Sequence, residues 1–136
     1  MDPSQPTPSV LVIDDEPAIR DVMNQLLCDA GYRVTTRPCF FEHLDELLSL
    51  SPDVIVMDIM LQGKRSGIDF IERLRADPRT APIPIAVCTG ATHLVAEINA
   101  ALKEWDCQLI CKPFDIDDFI TEINRCLARQ RLKQAN

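Results

Sequence analysis

The sequence lacks the long apolar stretches of a membrane protein or a secreted precursor. No apolar run approaches the roughly 20 residues that span a bilayer. The N-terminal segment MDPSQPTPS has neither the basic nor the apolar part of a signal peptide. We therefore expect a cytoplasmic protein with no membrane partner.

Basic residues are also scarce. The chain has 14 Lys and Arg against 21 Asp and Glu, which gives a net charge of -7. Nucleic-acid surfaces hold phosphates with clustered Lys and Arg, so direct nucleic-acid binding is not expected. The cations Arg129, Arg131 and Lys133 suit the end of a helix, where the helix dipole favours positive charge.

The cysteines show no CxxC pair and no histidine at the spacing of a zinc site. We expect reduced, mostly buried thiols. Cys107 and Cys111 lie four residues apart in an apolar stretch typical of a strand, which places them on the same face without making them a redox pair.

The chain contains no internal repeat and no linker wide enough to separate two domains. Its 136 residues and 46% hydrophobic content suit a single globular domain. We expect that domain at 9–130, after a disordered, proline-rich extension at 1–8 and before a polar tail at 131–136.

Five short apolar runs alternate with five stretches of helical periodicity, a pattern typical of βα units that build a parallel sheet. The runs VLVI, VIVM and IAVC are almost wholly apolar, which predicts central strands covered on both faces. The predicted strands are 10–13, 32–36, 54–57, 83–88 and 109–111.

The helical stretches each carry apolar residues at the spacing of one helix face. The first is delimited by Pro17 and Gly31, and the second is predicted near 40–50, the third at 67–76. The predicted inward faces of the first and last helices are Ile19, Val22, Met23, Leu26 and Leu27, and Ile116, Phe119, Ile120, Ile123 and Leu127.

Polar residues follow four of the five predicted strands. Functional sites of parallel sheets lie at the carboxyl ends of the strands, and there the sequence has Asp14, Asp15, Asp58, Thr89 and Lys112. Each has a structural alternative, since aspartate and threonine often cap helices and Lys-Pro often marks a loop. Three acids, a hydroxyl and a cation at one edge of one sheet favour a functional site.

Three converging carboxylates repel each other by about 4 kcal/mol per pair at 4 Å and an effective dielectric of about 20. They need a cation, and Mg²⁺ is the hard, oxygen-seeking ion that fits. With Mg²⁺ bound, one carboxylate can attack phosphorus and become an acyl phosphate. Lys112 and the metal would offset phosphoryl charge, and Thr89 could donate a hydrogen bond.

The segments VLVIDDE, VIVMDIML, IAVCTGA and ICKPF closely resemble the receiver domains of two-component response regulators, such as chemotaxis regulators. The resemblance covers about residues 8–130. It implies a flavodoxin-like (βα)5 fold, with a doubly wound parallel sheet in the strand order 2-1-3-4-5.

The resemblance also implies a role for each site residue. Asp58 matches the phosphoacceptor, which receives its group from a sensor histidine kinase or a histidine phosphotransfer protein. Thr89 matches the switch hydroxyl, and Lys112 the cation that reaches the phosphoryl group. The chain would then be a switch read by an output partner that the sequence does not identify.

The metal-binding set implied by the resemblance comprises Asp58 and three further residues. Asp15 matches the direct metal ligand, Asp14 the acid that acts largely through a metal-bound water, and Met60 the residue that lends its backbone carbonyl. The resemblance also implies that the side chains of Met60 and Ala91 occupy two positions that modulate dephosphorylation. Neither can orient an attacking water, so we expect slow autodephosphorylation and no other enzyme activity.

Two alternatives remain open at this stage. A degenerate receiver could bind a partner without phosphorylation, and Leu109, which stands where receivers commonly carry Tyr or Phe, favours this mildly. A Mg²⁺-dependent aspartyl phosphohydrolase would use a similar nucleophile, but such enzymes commonly place a second acid where this chain has Met60.

Overall fold

The computed structural model describes residues 7–61, 66–90, 95–111 and 115–135. Strands and helices alternate along these segments: β1 (Ser9–Ile13), α1 (Pro17–Asp29), β2 (Arg33–Arg37), α2 (Leu44–Ser49), β3 (Val54–Met57), α3 (Ser66–Ala76), β4 (Ile85–Thr89), α4 (Val95–Glu104), β5 (Cys107–Cys111) and α5 (Ile116–Ala135). Over these ranges, no helix combines the length and the apolar character needed to cross a bilayer.

The strands form one five-stranded sheet in the order β2-β1-β3-β4-β5, and every neighbouring pair is parallel. All residues of β1, β3 and β4 are buried, as their apolar sequences predict for interior strands. The more polar β2 lies at an edge and has no buried residue. The predicted flavodoxin-like fold and its strand order are confirmed.

Two hydrophobic cores lie on opposite faces of the sheet, because successive strand side chains point to opposite faces. Leu11 and Ile13 of β1 belong to the core shared with α2, α3 and α4. Val10 and Val12 belong to the core shared with α1 and α5. Because helices cover both faces, polar groups can gather at the ends of the strands.

The second helix is shorter than predicted, since α2 begins at Leu44 instead of near residue 40. Phe41 is nevertheless buried, and Phe40 stacks on Phe70 with ring centroids 4.7 Å apart. The two phenylalanines face the core from an irregular segment. Their apolar spacing therefore reflects packing against the core and not a helical backbone.

Four strands differ from their predicted bounds by one or two residues at an end: β1 spans 9–13, β2 33–37, β4 85–89 and β5 107–111. For β4 the reason lies in the backbone. Pro84 has no N–H to donate, and the N–H of Ile83 donates to the carbonyl of Thr80 at 3.0 Å. The ladder between β3 and β4 therefore starts at Ile85.

Two residues assigned to inward helix faces are exposed instead. Val22 on α1 is 52% exposed and Ile116 at the start of α5 is 54% exposed. Val22 lies at the margin of a stripe that centres on Ile19, Met23 and Leu26, given about 100° of rotation per residue. Ile116 precedes Phe119, the first residue of α5 that is buried against the sheet.

The two ends of the chain contain ordered residues close to the predicted domain limits. The carbonyls of Thr7 and Pro8 accept hydrogen bonds from the side chain and the backbone N–H of Arg33. At the other end, α5 continues to Ala135. The limits at 9 and 130 stay predictions.

The cysteines fall into two groups. Among the five whose side chains are described, all are free thiols; Cys88, Cys107 and Cys126 are buried, and Cys28 and Cys39 are exposed. Burial disfavours the charged thiolate and raises the pKa of Cys107 and of Cys126 to about 11. The side chain of Cys111 lies outside the described residues.

We expect this difference to control alkylation, because the thiolate is the nucleophile. At pH 8 a thiol with a pKa near 11 is ionised in only about one molecule in a thousand. Brief treatment of the native protein with iodoacetamide should label Cys28 and Cys39 before Cys107 and Cys126, as measured by peptide mass mapping. In denaturant all four should react at similar rates. Early native labelling of Cys126 would contradict the burial described here.

Candidate functional site

Asp14 begins the candidate site directly after β1. Its side chain is buried, with the residue only 3% exposed. Oδ1 accepts a hydrogen bond from the backbone N–H of Glu16 at 3.0 Å, and the N–H of Asp14 donates to the carbonyl of Arg37 at 3.1 Å. These bonds tie the turn after β1 to the end of β2, and the half-buried Asp15 follows in the same turn.

Asp58 stands in the corresponding place after β3. It is half-buried, and its Oδ1 accepts a hydrogen bond from the backbone N–H of Met60 at 3.0 Å. The same local turn, in which a carboxylate oxygen accepts a hydrogen bond from the N–H two residues later, thus follows both β1 and β3. It also brings the backbone of Met60 beside the Asp58 carboxylate.

The strand register places the two turns side by side. Ile13 pairs with Met57, so Asp14 and Asp58 are the next residues on adjacent strands, which run about 4.8 Å apart. The register therefore brings Asp14 and Asp58 together, and Asp15 follows Asp14 in the same turn. Asp14, Asp15 and Asp58 all have interaction partners.

Thr89 is the last residue of β4 and is fully buried. Since Met57 pairs with Val87, Thr89 reaches one residue further than Asp58 along the neighbouring strand. Thr89 also pairs with Cys111 of β5. Lys112, which follows Cys111, lies outside the described residues, as does Ala91.

The residues described fit Mg²⁺ by the chemistry of their donors. The carboxylates of the three acids and the backbone carbonyl of Met60 are oxygen ligands, the type this ion prefers. Over the described segments, no three His, Cys, Asp or Glu side chains are already arranged to hold a metal ion. Asp14 and Asp58 instead each direct one oxygen to a backbone N–H.

Gly67, in the first turn of α3, packs against the main chain that follows Asp58. Its N–H donates to the carbonyl of Ile59 at 2.9 Å. A Cβ added at Gly67 would lie 2.6 Å from the Ile59 Cα and 2.9 Å from the carbonyl oxygen of Asp58. Only glycine permits this approach of α3 to the loop that carries Asp58.

Sequence reasoning assigned no site role to Gly67 or to Arg20, whose guanidinium donates to the carbonyl of Asp14 at 2.8 Å. A signal for Gly67 existed, because glycine is a poor helix former and its presence in a helix points to a close approach. Nothing in the sequence pattern distinguished Arg20 from any other helix-surface cation.

A cavity of about 230 Å³ lies at the amino ends of the strands, opposite the acids. It opens beside Pro84 and Trp105, which precede β4 and β5, and is bordered by Arg75 and Arg129. None of the site residues predicted from the sequence lines it. The candidate site is therefore the group of polar residues at the carboxyl ends of the strands, which comprises Asp14, Asp15, Asp58 and Thr89.

Comparison with known proteins agrees with this fold and cluster. Residues 10–124 match the model of the response regulator receiver domain. Two curated relatives are each 34% identical: the DNA-binding dual master transcriptional regulator RpaA of Synechocystis, which matches over 94% of this chain and 53% of its own length, and the transcriptional regulatory protein FixJ of Bradyrhizobium diazoefficiens, over 89% and 57%. The chain spans about half the length of these relatives.

Solved structures give the same result. The chemotaxis response regulator CheY4 of Vibrio cholerae superposes with a TM-score of 0.76 at 27% identity, covering 90% of this chain and all of that one. A receiver domain protein from Clostridium thermocellum gives 0.79 at 27% identity, covering 92% and 98%. The chain belongs to the response regulator receiver domain family and is a signal-transduction module of the two-component type.

Proposed function

We propose that this chain is a phosphorylation-dependent switch in which Asp58 accepts a phosphoryl group. The observation that carries the proposal is the placement of Asp58 at the end of a central strand, in register beside Asp14. Neighbouring carboxylates repel each other, and a bound cation offsets that repulsion. The same cation supports phosphoryl transfer. Family membership supports the same role.

In this proposal Asp15 and Asp58 bind Mg²⁺ through carboxylate oxygens, Met60 through its backbone carbonyl, and Asp14 largely through water. The ion supplies charge neutralisation at the phosphoryl oxygens. The hydrogen bond from the Met60 N–H to Asp58 supports this set, because it keeps the Met60 backbone beside the carboxylate.

Asp58 acts as the nucleophile. One carboxylate oxygen forms a bond to phosphorus while the bond from phosphorus to the donor's imidazole nitrogen breaks, leaving an acyl phosphate on Asp58 and the donor histidine to take up a proton. An ionised carboxylate has no proton to lose, so this step needs no general base. The donor is a sensor histidine kinase or a histidine phosphotransfer protein.

Thr89 and Lys112 stabilise the phosphoryl group once it is on Asp58. The Thr89 hydroxyl, buried at the end of β4, is one strand away from Asp58 and can donate a hydrogen bond to a phosphoryl oxygen. Lys112 supplies a positive charge. Phosphorylation adds about -1.5 to -2 units of charge, and the rearrangement around it alters the surface that an output partner reads.

The curated relatives indicate the class of output partner that we propose. The relatives RpaA and FixJ are named as transcriptional regulators and are about twice as long as the matched segment. In this proposal the output partner is a DNA-binding domain or protein. The receiver itself occupies 9–130 and makes no direct contact with nucleic acid.

The proposal is tested with acetyl phosphate, a small phosphoryl donor. Incubation with Mg²⁺ should add about 80 Da to the intact protein, measured by mass spectrometry, and chelation of the metal with EDTA should prevent the gain. A gain that persists in EDTA would contradict the role of Mg²⁺. No gain with acetyl phosphate or with a phosphohistidine protein would contradict phosphorylation itself.

A phosphorylation-independent binding module is the second candidate, and Leu109 favours it. Leu109 is half-buried against the core beneath α4, where an aromatic side chain would couple to Thr89 in many receivers. Absence of the mass gain, together with an unchanged fold, would support this candidate. A phosphohydrolase would instead release inorganic phosphate steadily from a phosphomonoester such as p-nitrophenyl phosphate.

A further inference from the structure

Arg20 reaches back from the first turn of α1 to the loop that carries the acids. Its Nη1 donates a hydrogen bond of 2.8 Å to the carbonyl oxygen of Asp14, six residues earlier. Arg20 is half-buried. The N-cap residue of α1, Glu16, makes no side-chain capping bond, so the guanidinium links the helix start to the loop in place of a cap.

The bonded carbonyl belongs to the peptide that joins Asp14 to Asp15. That planar peptide joins the Cα atoms of both acids, so holding its orientation restricts the directions in which their side chains can leave the main chain. Other bonds also hold Asp14, among them those from its N–H to Arg37 and from the Glu16 N–H to its carboxylate. Both of those donors are main-chain groups. The bond from Arg20 is donated by a side chain, so substitution of Arg20 removes it.

We propose that Arg20 is a positioning residue for the metal-binding acids: it holds the Asp14–Asp15 peptide in the orientation from which the acids bind Mg²⁺. This inference rests on the proposed function. Arg20 touches a main-chain carbonyl, so it acts through the acids and not on the ion itself.

The test measures Mg²⁺ binding without any phosphoryl donor. Wild-type protein, Arg20→Ala and Arg20→Lys are titrated with Mg²⁺, and the shifts of the Asp14, Asp15 and Asp58 backbone amide resonances give the dissociation constants. Arg125→Ala is the matched control, since Arg125 is an exposed cation on α5 whose ion pair with Glu122 is remote from the strand ends. Thermal unfolding in EDTA monitors the fold.

Arg20→Ala should raise the Kd for Mg²⁺ roughly tenfold, as loss of a group that orients metal ligands does. Arg20→Lys keeps the charge and can still donate to the carbonyl, so it should restore most of the affinity. Arg125→Ala should bind like the wild type. This pattern in variants that unfold like the wild type in EDTA would support positioning.

An unchanged Kd in Arg20→Ala, with or without a lower unfolding temperature, would overturn the inference and leave a merely structural bond. That outcome leaves the proposed function intact, because the wild type still binds the ion. If the wild type itself shows no saturable shift at Asp14, Asp15 or Asp58, both the inference and the metal role in the proposed function fail.

Discussion

Asp58→Asn is expected to abolish the mass gain from acetyl phosphate and Mg²⁺ completely. The amide has almost the shape of the carboxylate, and its oxygen can still accept the hydrogen bond from Met60. It has no negative oxygen to attack phosphorus, however, so the acyl phosphate cannot form. Intact-protein mass spectrometry should show only the unmodified species after an incubation that saturates the wild type.

The fold should survive this substitution. Asp58 lies in register beside Asp14, and removing one of two neighbouring charges relieves repulsion. The melting temperature in EDTA should therefore equal or exceed that of the wild type. Asp21→Asn, which neutralises an exposed acid on α1, is the control and should gain mass like the wild type. A persistent gain in Asp58→Asn would place the acceptor elsewhere.

Gly67→Ala is expected to slow phosphorylation about a hundredfold, the cost of moving a reacting group by about 1 Å. The new methyl group would meet the Ile59 Cα at 2.6 Å and the Ile59 carbonyl oxygen at 2.7 Å. Both are main-chain atoms that cannot rotate away, so the loop after Asp58 must shift. The rate of mass gain at fixed acetyl phosphate measures the effect.

The same substitution should lower the free energy of unfolding by about 1–3 kcal/mol, the usual cost of overpacking. This opposes helix propensity, by which alanine exceeds glycine by about 1 kcal/mol. Asp69→Ala, at an exposed position of α3, carries no clash and should stay within experimental error of the wild type in both assays. A Gly67→Ala protein that is more stable and equally reactive would refute the close approach.

Much of the fold could be predicted because its strands are extreme in composition. Wholly apolar runs such as VIVM can be satisfied only where helices cover both faces, and the interior positions of β1, β3 and β4 follow. The grouping of Asp14, Asp58 and Thr89 follows equally, because parallel strands end at the same edge of the sheet. The strand order itself came from the family resemblance and not from periodicity.

What periodicity could not give was the extent of each contact. Val22 has the right spacing for the core, yet it is 52% exposed at the margin of the buried face of α1. Ile116 has the right spacing too, but it stands ahead of the turn that meets the sheet. Spacing defines a direction from the helix axis, and burial also requires a neighbour in that direction.

The supporting contacts of the site were beyond sequence reasoning for a related reason. The approach of Gly67 to Ile59 and the bond from Arg20 to Asp14 join side chains or helix starts to main-chain atoms. Every residue has such atoms, so no pattern of residue types marks the partner. These contacts appear only when the backbone is in place.

Arg75 gives α4 a fixed end. Its guanidinium donates to the carbonyls of Trp105, Ala81 and Ile83 at 2.7 to 2.8 Å, which locks the residue after α4 to the segment before β4. A helix anchored at one end can move at the other end only by rotating about the anchor. The 10 residues of α4 are about 15 Å long, so a displacement of about 1 Å at its N-terminal end corresponds to a rotation of about 4°. The rotation would be centred on Trp105, the anchored residue.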